Sequence, residues 1–345
     1  MKFILDDEQK LFGETLDKLL AAASVPGVAR DWAAGSRSRG LELWRSLAEA
    51  GLFALAVPES SGGVGPLPVE LVTAFRVLGK HGVPGPYVET VAVAELLSRL
   101  EPAAGGAADS ADSADSAAFA LPAGLSAIAE GAAVVSLALP WDVPLALDAD
   151  AAGMVLTVDP VGALRHAAVR QAHDSLDPAR RLFSVQPGEE IAQDAAGAAA
   201  AAYDLGALLT AAQLSGLGDR LLEITVEYAK TRQQFGKPIG EFQAVKHHLA
   251  DAYVALEHAR PLLYGAALSH GSPDFARDAS AAKAAASDAA YFASRIALQV
   301  HGAIGYTDEY DPSLLIRKVR ALRGAWGSPS AHKARVMDSL TAGSR

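Results

Sequence analysis

Apolar residues recur at helical spacing along most of this 345-residue chain. Residues 6–23, 40–51, 68–81 and 87–100 each carry one apolar stripe and are expected to be helices. The first opens on acidic residues, which the positive end of a helix dipole favours. Between the second and third, Leu52-Phe-Ala-Leu-Ala-Val-Pro58 runs into a Ser60-Ser-Gly-Gly63 turn. An α-helical N-terminal domain over 1–101 follows from this pattern. Residues 102–118 then hold little but Ala, Gly, Asp and Ser, with Asp-Ser-Ala repeated from Asp109. Such a segment buries too little apolar surface to order itself and reads as a linker or loop.

Over 119–195 the period changes. Val134–Leu137, Ala151–Val158 and Arg181–Val185 read as strands between Pro, Gly and Asp breaks, which makes a small, reduced β domain. From 196 to 345 the helical period returns. Residues 196–232 form one very long expected helix, with Gly197, Gly206, Gly216 and Gly218 as weak points. Pro238 and Gly240 make a turn. Phe242, Val245, Leu249, Tyr253 and Leu256 form the stripe of the next helix, and 274–300 gives a third. Shorter helices are expected over 313–323 and 331–340. Long helices with short connections make an up-down four-helix bundle, so the fold class is mainly α with a small β domain.

Composition narrows the function. Half the residues are hydrophobic, many of them alanine, and only 6% are aromatic. Small residues at that density suit tightly packed helices. A formal net charge of −10 argues against nucleic-acid binding, which needs cationic patches. With no cysteine, disulfides and thiolate chemistry are excluded. Asp6, Asp7 and Glu8 interrupt the apolar core that a signal peptide needs. Residues 117–139 contain Pro122, Glu130 and two glycines, and lack the roughly 20 strongly apolar residues of a membrane span. A soluble, cytoplasmic protein is expected. His247 and His248 have no carboxylates at metal-ligand spacing, so no metal site is expected.

Two blocks carry candidate chemistry. Thr231-Arg-Gln-Gln-Phe-Gly-Lys-Pro-Ile-Gly240 places a cation, Arg232, and an aromatic ring, Phe235, at one chain reversal. Leu298-Gln-Val-His-Gly-Ala-Ile-Gly-Tyr306 adds Gln299 and two glycines, Gly302 and Gly305, that admit close approach to the backbone. A guanidinium offers a planar donor fork to phosphate oxygens, and a Phe offers a ring face. Together they read as a surface for a phosphate-bearing, flat-ringed cofactor. Singly, each residue has an ordinary structural reading: a helix-end cation, a core aromatic, a buried amide, a helix C-cap.

The pair of blocks resembles the C-terminal domain of the acyl-CoA dehydrogenase family of flavoproteins. In that family, an R-x-x-F-G segment holds the FAD pyrophosphate and adenine of the neighbouring subunit. A Q-x-x-G-G-x-G segment holds the ADP part. The resemblance implies Arg232, Phe235, Gln299 and Gly302 as cofactor-binding residues, with Ala303 in place of the family's second Gly. It covers the C-terminal third well and residues 1–100 loosely. Asp177-Pro-Ala-Arg-Arg-Leu-Phe-Ser-Val185 also resembles a strand common in the family.

The same resemblance exposes a missing base. The family's catalytic Glu stands in a Y-E-G-T segment, and the matching stretch here is Arg323-Gly-Ala-Trp-Gly-Ser-Pro-Ser-Ala-His332. Trp326 occupies the Glu position and cannot accept a proton; it reads either as a plug in the vacated pocket or as a core residue. His270 is the nearest titratable group at the alternative base position, and its ordinary reading is a solvated helix-end residue. Ser328 and Ser330 stand where the family places groups near the cofactor; a simple helix N-cap is the plainer reading. The family's T-E-P-x-x-G-S-D segment is replaced by Leu137-Ala-Leu-Pro-Trp-Asp-Val-Pro144. These losses resemble the base-lacking chain of actinobacterial heterotetrameric acyl-CoA dehydrogenases. The resemblance implies FAD, an acyl-CoA substrate, lipid metabolism, a related partner chain or a homo-oligomer, and an electron-transfer flavoprotein as acceptor. A stand-alone enzyme with an unusual base and a non-catalytic scaffold are the alternatives.

Overall fold

The structure, a computed structural model, describes residues 4–100 and 121–342. The linker expected at 102–118 lies outside the described residues. Two compact units are built from interleaved segments. One comprises Arg30–Leu71 and Pro84–Gly206; the other comprises Met1–Ala29, Val72–Val83 and Ala207–Arg345. A short helix not foreseen from the sequence, α2 (Val25–Ala33), has residues in both.

The first unit holds α3 (Ser38–Glu49), α5 (Tyr87–Arg99), α6 (Leu121–Ala129) and a five-stranded sheet. Its strands are β1 (Val135–Ala138), β2 (Ala146–Leu147), β3 (Met154–Val158), β4 (Leu164–His173) and β5 (Leu182–Ala192), in spatial order β1-β3-β4-β5-β2. β1 and β3 run parallel, with Val135 opposite Met154; the other pairs are antiparallel. The sheet departs from the expected strands in three ways. Residues Ala151–Gly153 belong to a turn, since the Ala151 amide donates to Asp148 O (2.9 Å). β5 runs on to Ala192, and β4 pairs with it along an exposed stretch whose Arg, His and Gln residues hide the two-residue period. Residues 121–129 are helical, although they fall in the stretch read as β. The unit's aromatic core is Trp44, stacked on Phe53 (4.4 Å) and tilted against Tyr87 (4.5 Å), with its indole N–H donating to Gly131 O (2.9 Å).

Asp148 fixes the corner where β2 meets β5. Its amide donates to Arg181 O (2.7 Å), and its Oδ1 accepts from the Arg181 amide (3.0 Å). The residue is fully buried with φ +48, and burial pushes its carboxyl up to about 7.

The second unit contains α1 (Asp7–Ala22), the part of α4 (Pro68–His81) from Val72, and the part of α7 (Ala196–Thr231) from Ala207. It also holds α8 (Gln243–Leu268), α9 (Phe275–His301), α10 (Pro312–Gly324) and α11 (Pro329–Ala342). A capping box starts α1: Asp6 Oδ1 accepts from the Gln9 amide (2.8 Å), and Gln9 Oε1 accepts from the Asp6 amide (3.1 Å). Gly79 and Gly216 let α4 and α7 cross at backbone contact; a Cβ at Gly216 would strike the Arg76 carbonyl. The crossing brings Arg76 Nη2 to Asp219 Oδ2 (2.8 Å). α8 and α9 interlock through Ala252, Leu256, Ala259, Ala289 and Ala293. Small side chains bring the helix axes close, as the alanine content anticipates. Among the described residues no helix is long and apolar enough to cross a membrane.

Candidate functional site

The expected site residues fall into groups within the second unit. The first sits where α7 ends. Gln233–Gln234 (β6) and Lys237–Pro238 (β7) pair as a small hairpin, with Phe235 and Gly236 at its tip. Both tip residues have positive φ, +54 and +80, as a two-residue type I′ turn requires. Gly236 adopts this freely; Phe235 does so under strain. The ring is 92% exposed and stands edge-on to Phe242, 6.1 Å between centroids. Arg232 is exposed too, and its guanidinium has no partner among the described residues.

The Gln299–Gly302 block joins this group through one stack. Tyr228, one turn before Arg232, packs on His301 at 4.4 Å, and His301 packs on Tyr310 at 5.3 Å. The His301 Nδ1–H donates to Ala297 O (2.8 Å). Burial lowers the imidazole's pKa, so the ring stays neutral and acts as a spacer between the ends of α7 and α9. Gln299 and Gly302 flank it, both exposed. Gly302 has φ +64 and ψ −137, a conformation essentially reserved for glycine, and a Cβ there would meet only open space. Arg232, Phe235, Gln299 and Gly302 are thus brought to one end of the helices, solvent-facing.

A cavity of about 1050 Å³ lies alongside, lined by Arg76, Asp219, Tyr228, Tyr253, Arg260 and Tyr310, among others. Asp219 accepts from Arg76 (2.8 Å) and Arg260 (3.1 Å), so its carboxylate is already engaged.

The second group is different in kind. Trp326 is 2% exposed and left-handed (φ +54), and its carbonyl accepts from His332 Nε2–H (2.8 Å). Its burial fits both readings open from sequence, a plug in a vacated pocket and a core residue. Burial drives the His332 imidazole down to about 4, the nearby Lys283 charge adding to this, so it is neutral near pH 7. Ser328 caps α11: its Oγ accepts from the Ala331 amide (3.2 Å) and lies 2.9 Å from Ser330 Oγ. The neighbouring carboxylate, Asp288, pairs with Arg323 (3.2 Å) and Lys333 (2.7 Å). Burial alone would raise it, but these partners hold it below the usual carboxylate range, which disfavours a role as base.

His270 belongs to neither group. It follows α8, half-buried, edge-on to Phe275 at 4.9 Å. The hairpin tip precedes the other end of that 26-residue helix, which is roughly 39 Å long at 1.5 Å per residue. His247 and His248 are exposed on α8. Sequence reasoning missed Lys283, His301 and His332. For Lys283 there was a signal: it is a lone charge among Ala279, Ala282, Ala286 and Ala290, on the stripe that packs inward.

Family comparison agrees over both halves of the chain. The description "Acyl-CoA dehydrogenase, C-terminal domain" matches residues 196–341, and "Acyl-CoA dehydrogenase, N-terminal domain" matches 6–108. Acyl-CoA dehydrogenase IpdE2 of Mycobacterium tuberculosis (strain ATCC 25618 / H37Rv) is 32% identical over 94% of each chain. Among solved structures, the ChsE4-ChsE5 complex from Mycobacterium tuberculosis aligns at TM-score 0.81 and 22% identity, covering 99% of each chain. Butyryl-CoA dehydrogenase from Megasphaera elsdenii aligns at TM-score 0.80 and 21% identity, covering 99% of this chain and all of that one. At such identities these two show the fold alone.

Proposed function

This chain belongs to the acyl-CoA dehydrogenase family, oxidoreductases acting on acyl-CoA, and we propose that it is the base-lacking chain of a two-chain enzyme. A related chain would supply the catalytic Glu, and the pair would dehydrogenate an acyl-CoA thioester between Cα and Cβ. The observation that carries this reading is the contrast between Trp326, buried where the family resemblance puts the base, and solvent-facing Arg232 and Phe235, the Arg232 guanidinium having no partner among the described residues.

The residues present fit one end of FAD. The Arg232 guanidinium would hold the pyrophosphate by charge-assisted hydrogen bonds, and the Phe235 ring would lie against the adenine. Gln299 would hydrogen-bond the ADP part, and Gly302 would let it approach the backbone. FAD, when bound, supplies the acceptor for the hydride leaving Cβ. The proton from Cα has no acceptor at Trp326, and so passes to the related chain's carboxylate. Ser328 and Ser330 would contact a cofactor at a separate place. They adjoin Gly327, which Lys283 holds, and Lys283 and Gln299 are roughly 24 Å apart along α9 at 1.5 Å per residue. Two separated contact regions suit a chain that grips a neighbour's flavin. Exposed Tyr253, Val254, Leu262 and Phe292 on α8 and α9 offer apolar area for that neighbour. An electron-transfer flavoprotein would take the electrons.

The test is purification of the chain alone and with a related dehydrogenase chain. Bound flavin and enoyl-CoA formation are expected only in the pair. A yellow, active lone chain would overturn the two-chain reading. A colourless, inactive pair would leave the chain as a scaffold.

A further inference from the structure

Lys283 is completely buried in α9. Its ammonium lies 3.1 Å from Ser287 Oγ, 3.3 Å from Leu322 O, 3.2 Å from Arg323 O and 3.2 Å from Gly327 O. Leu322 and Arg323 end α10, where carbonyls lack intrahelical partners and partial negative charge collects. A buried cation there has an evident capping role. Gly327 lies beyond the helix, past left-handed Trp326 (φ +54), and is itself at φ +93. Capping α10 does not require that bond.

His332 pins the adjoining carbonyl. Its Nε2–H, from α11, donates to Trp326 O (2.8 Å). Two successive carbonyls at one corner are therefore held inward by side chains from two helices. In a trans peptide the N–H is directed opposite to the C=O. Fixing the Trp326 and Gly327 carbonyls directs the Gly327 and Ser328 amides the other way. Neither amide is a donor in the described backbone network. Successive amides facing one direction suit an anion or a polarised oxygen. The Ser328 and Ser330 hydroxyls, 2.9 Å apart, sit on the same segment. An ammonium is costly to desolvate, and a Met would fill an alanine-lined stripe without that penalty.

We propose that Lys283 is a positioning residue, whose ammonium sets the Trp326–Ser330 corner so that the Gly327 and Ser328 amides and both serine hydroxyls face the cofactor. The last clause rests on the reading above that Ser328 and Ser330 contact FAD.

Lys283→Met and, as a destabilised control in the α8–α9 core, Leu256→Ala are prepared in the assembled two-chain complex. Amide hydrogen exchange of Ala331 and His332, which both bond to Ser328, reports the corner without the cofactor. FAD dissociation constants report the cofactor. Lys283→Met is expected to speed exchange at these two amides at least tenfold and to weaken FAD at least tenfold. Leu256→Ala, at a similar loss of thermal midpoint, should change both less than twofold. Equal effects in the two variants would overturn the proposal, because they would make Lys283 merely structural. Faster exchange with unchanged FAD affinity would overturn the cofactor-facing part alone. Should Lys283→Met fail to fold, His332→Gln gives the same two readouts with smaller expected effects. A wild-type complex that retains no FAD would sink the two-chain reading instead, and the exchange measurement would still decide what Lys283 does.

Discussion

At one end of α9, Gln299 and Gly302 stand open to solvent near Arg232 and Phe235. Two turns into the other end, Lys283 is buried among carbonyls, and Trp326 is sealed behind it. The open end leaves a guanidinium unpaired and a phenyl ring in water, neither of which helps a chain to fold. The sealed end spends a buried cation and a neutral imidazole on one corner. The first end is open to a ligand or neighbour; at the second, the Lys283 ammonium and the Trp326 and Gly327 carbonyls are paired from within, while the Gly327 and Ser328 amides are left over. The contrast is what the proposed two-chain reading requires, with binding residues facing outward and a vacated catalytic position filled by a buried side chain.

The largest expected effect is at the sealed end. Trp326→Ala should lose about 3–5 kcal/mol in urea unfolding, as large aromatic truncations in a core do. A loss under about 1 kcal/mol would show that the indole is not core, and would break the comparison.

The next effect is pH-dependent. The folded His332 imidazole titrates near 4, below the unfolded value of 6.5. Its contribution to stability is full above 6.5 and is lost as pH falls toward 4, up to about 3 kcal/mol. Asp148 titrates with the opposite sense. Its folded value near 7 exceeds the unfolded 3.8, so its burial costs stability as pH rises from 4 to 7. The two slopes oppose each other, so the measurement is made in an Asp148→Asn background. There, adding His332→Gln should remove most of the acid-side loss; an unchanged slope would show that His332 is not the titrating group.

At the open end the effect is on binding. Arg232→Ala should raise the FAD dissociation constant of the assembled pair by roughly 30–100-fold, the scale of a lost charge-assisted contact. The lone chain's thermal midpoint should not move. A shifted midpoint with unaltered FAD binding would place Arg232 in the fold instead. The smallest effect is expected at Ser328→Ala, about 1 kcal/mol from the lost α11 N-cap.

The long helices were legible because their stripes persist for many turns; α7 begins at Ala196 and ends at Thr231, against an expected 196–232. The reversal at Phe235-Gly236 was legible from its Gly. The strand β4 was not, because most of its side chains face solvent and leave no apolar alternation. The interleaving of Val72–Val83 with the C-terminal helices was invisible, since it depends on Gly79 and Gly216 meeting across more than a hundred residues. Lys283 was overlooked because composition shows that a charge exists but not which carbonyls surround it.

The Phe235 turn position has a consequence for anyone engineering this chain. Asn or Gly would suit that backbone better, so stability-guided redesign would substitute Phe235 early, gaining about half a kcal/mol in the hairpin. On the proposed function, the redesigned chain would melt later and hold FAD worse, with durability and grip traded at a single side chain.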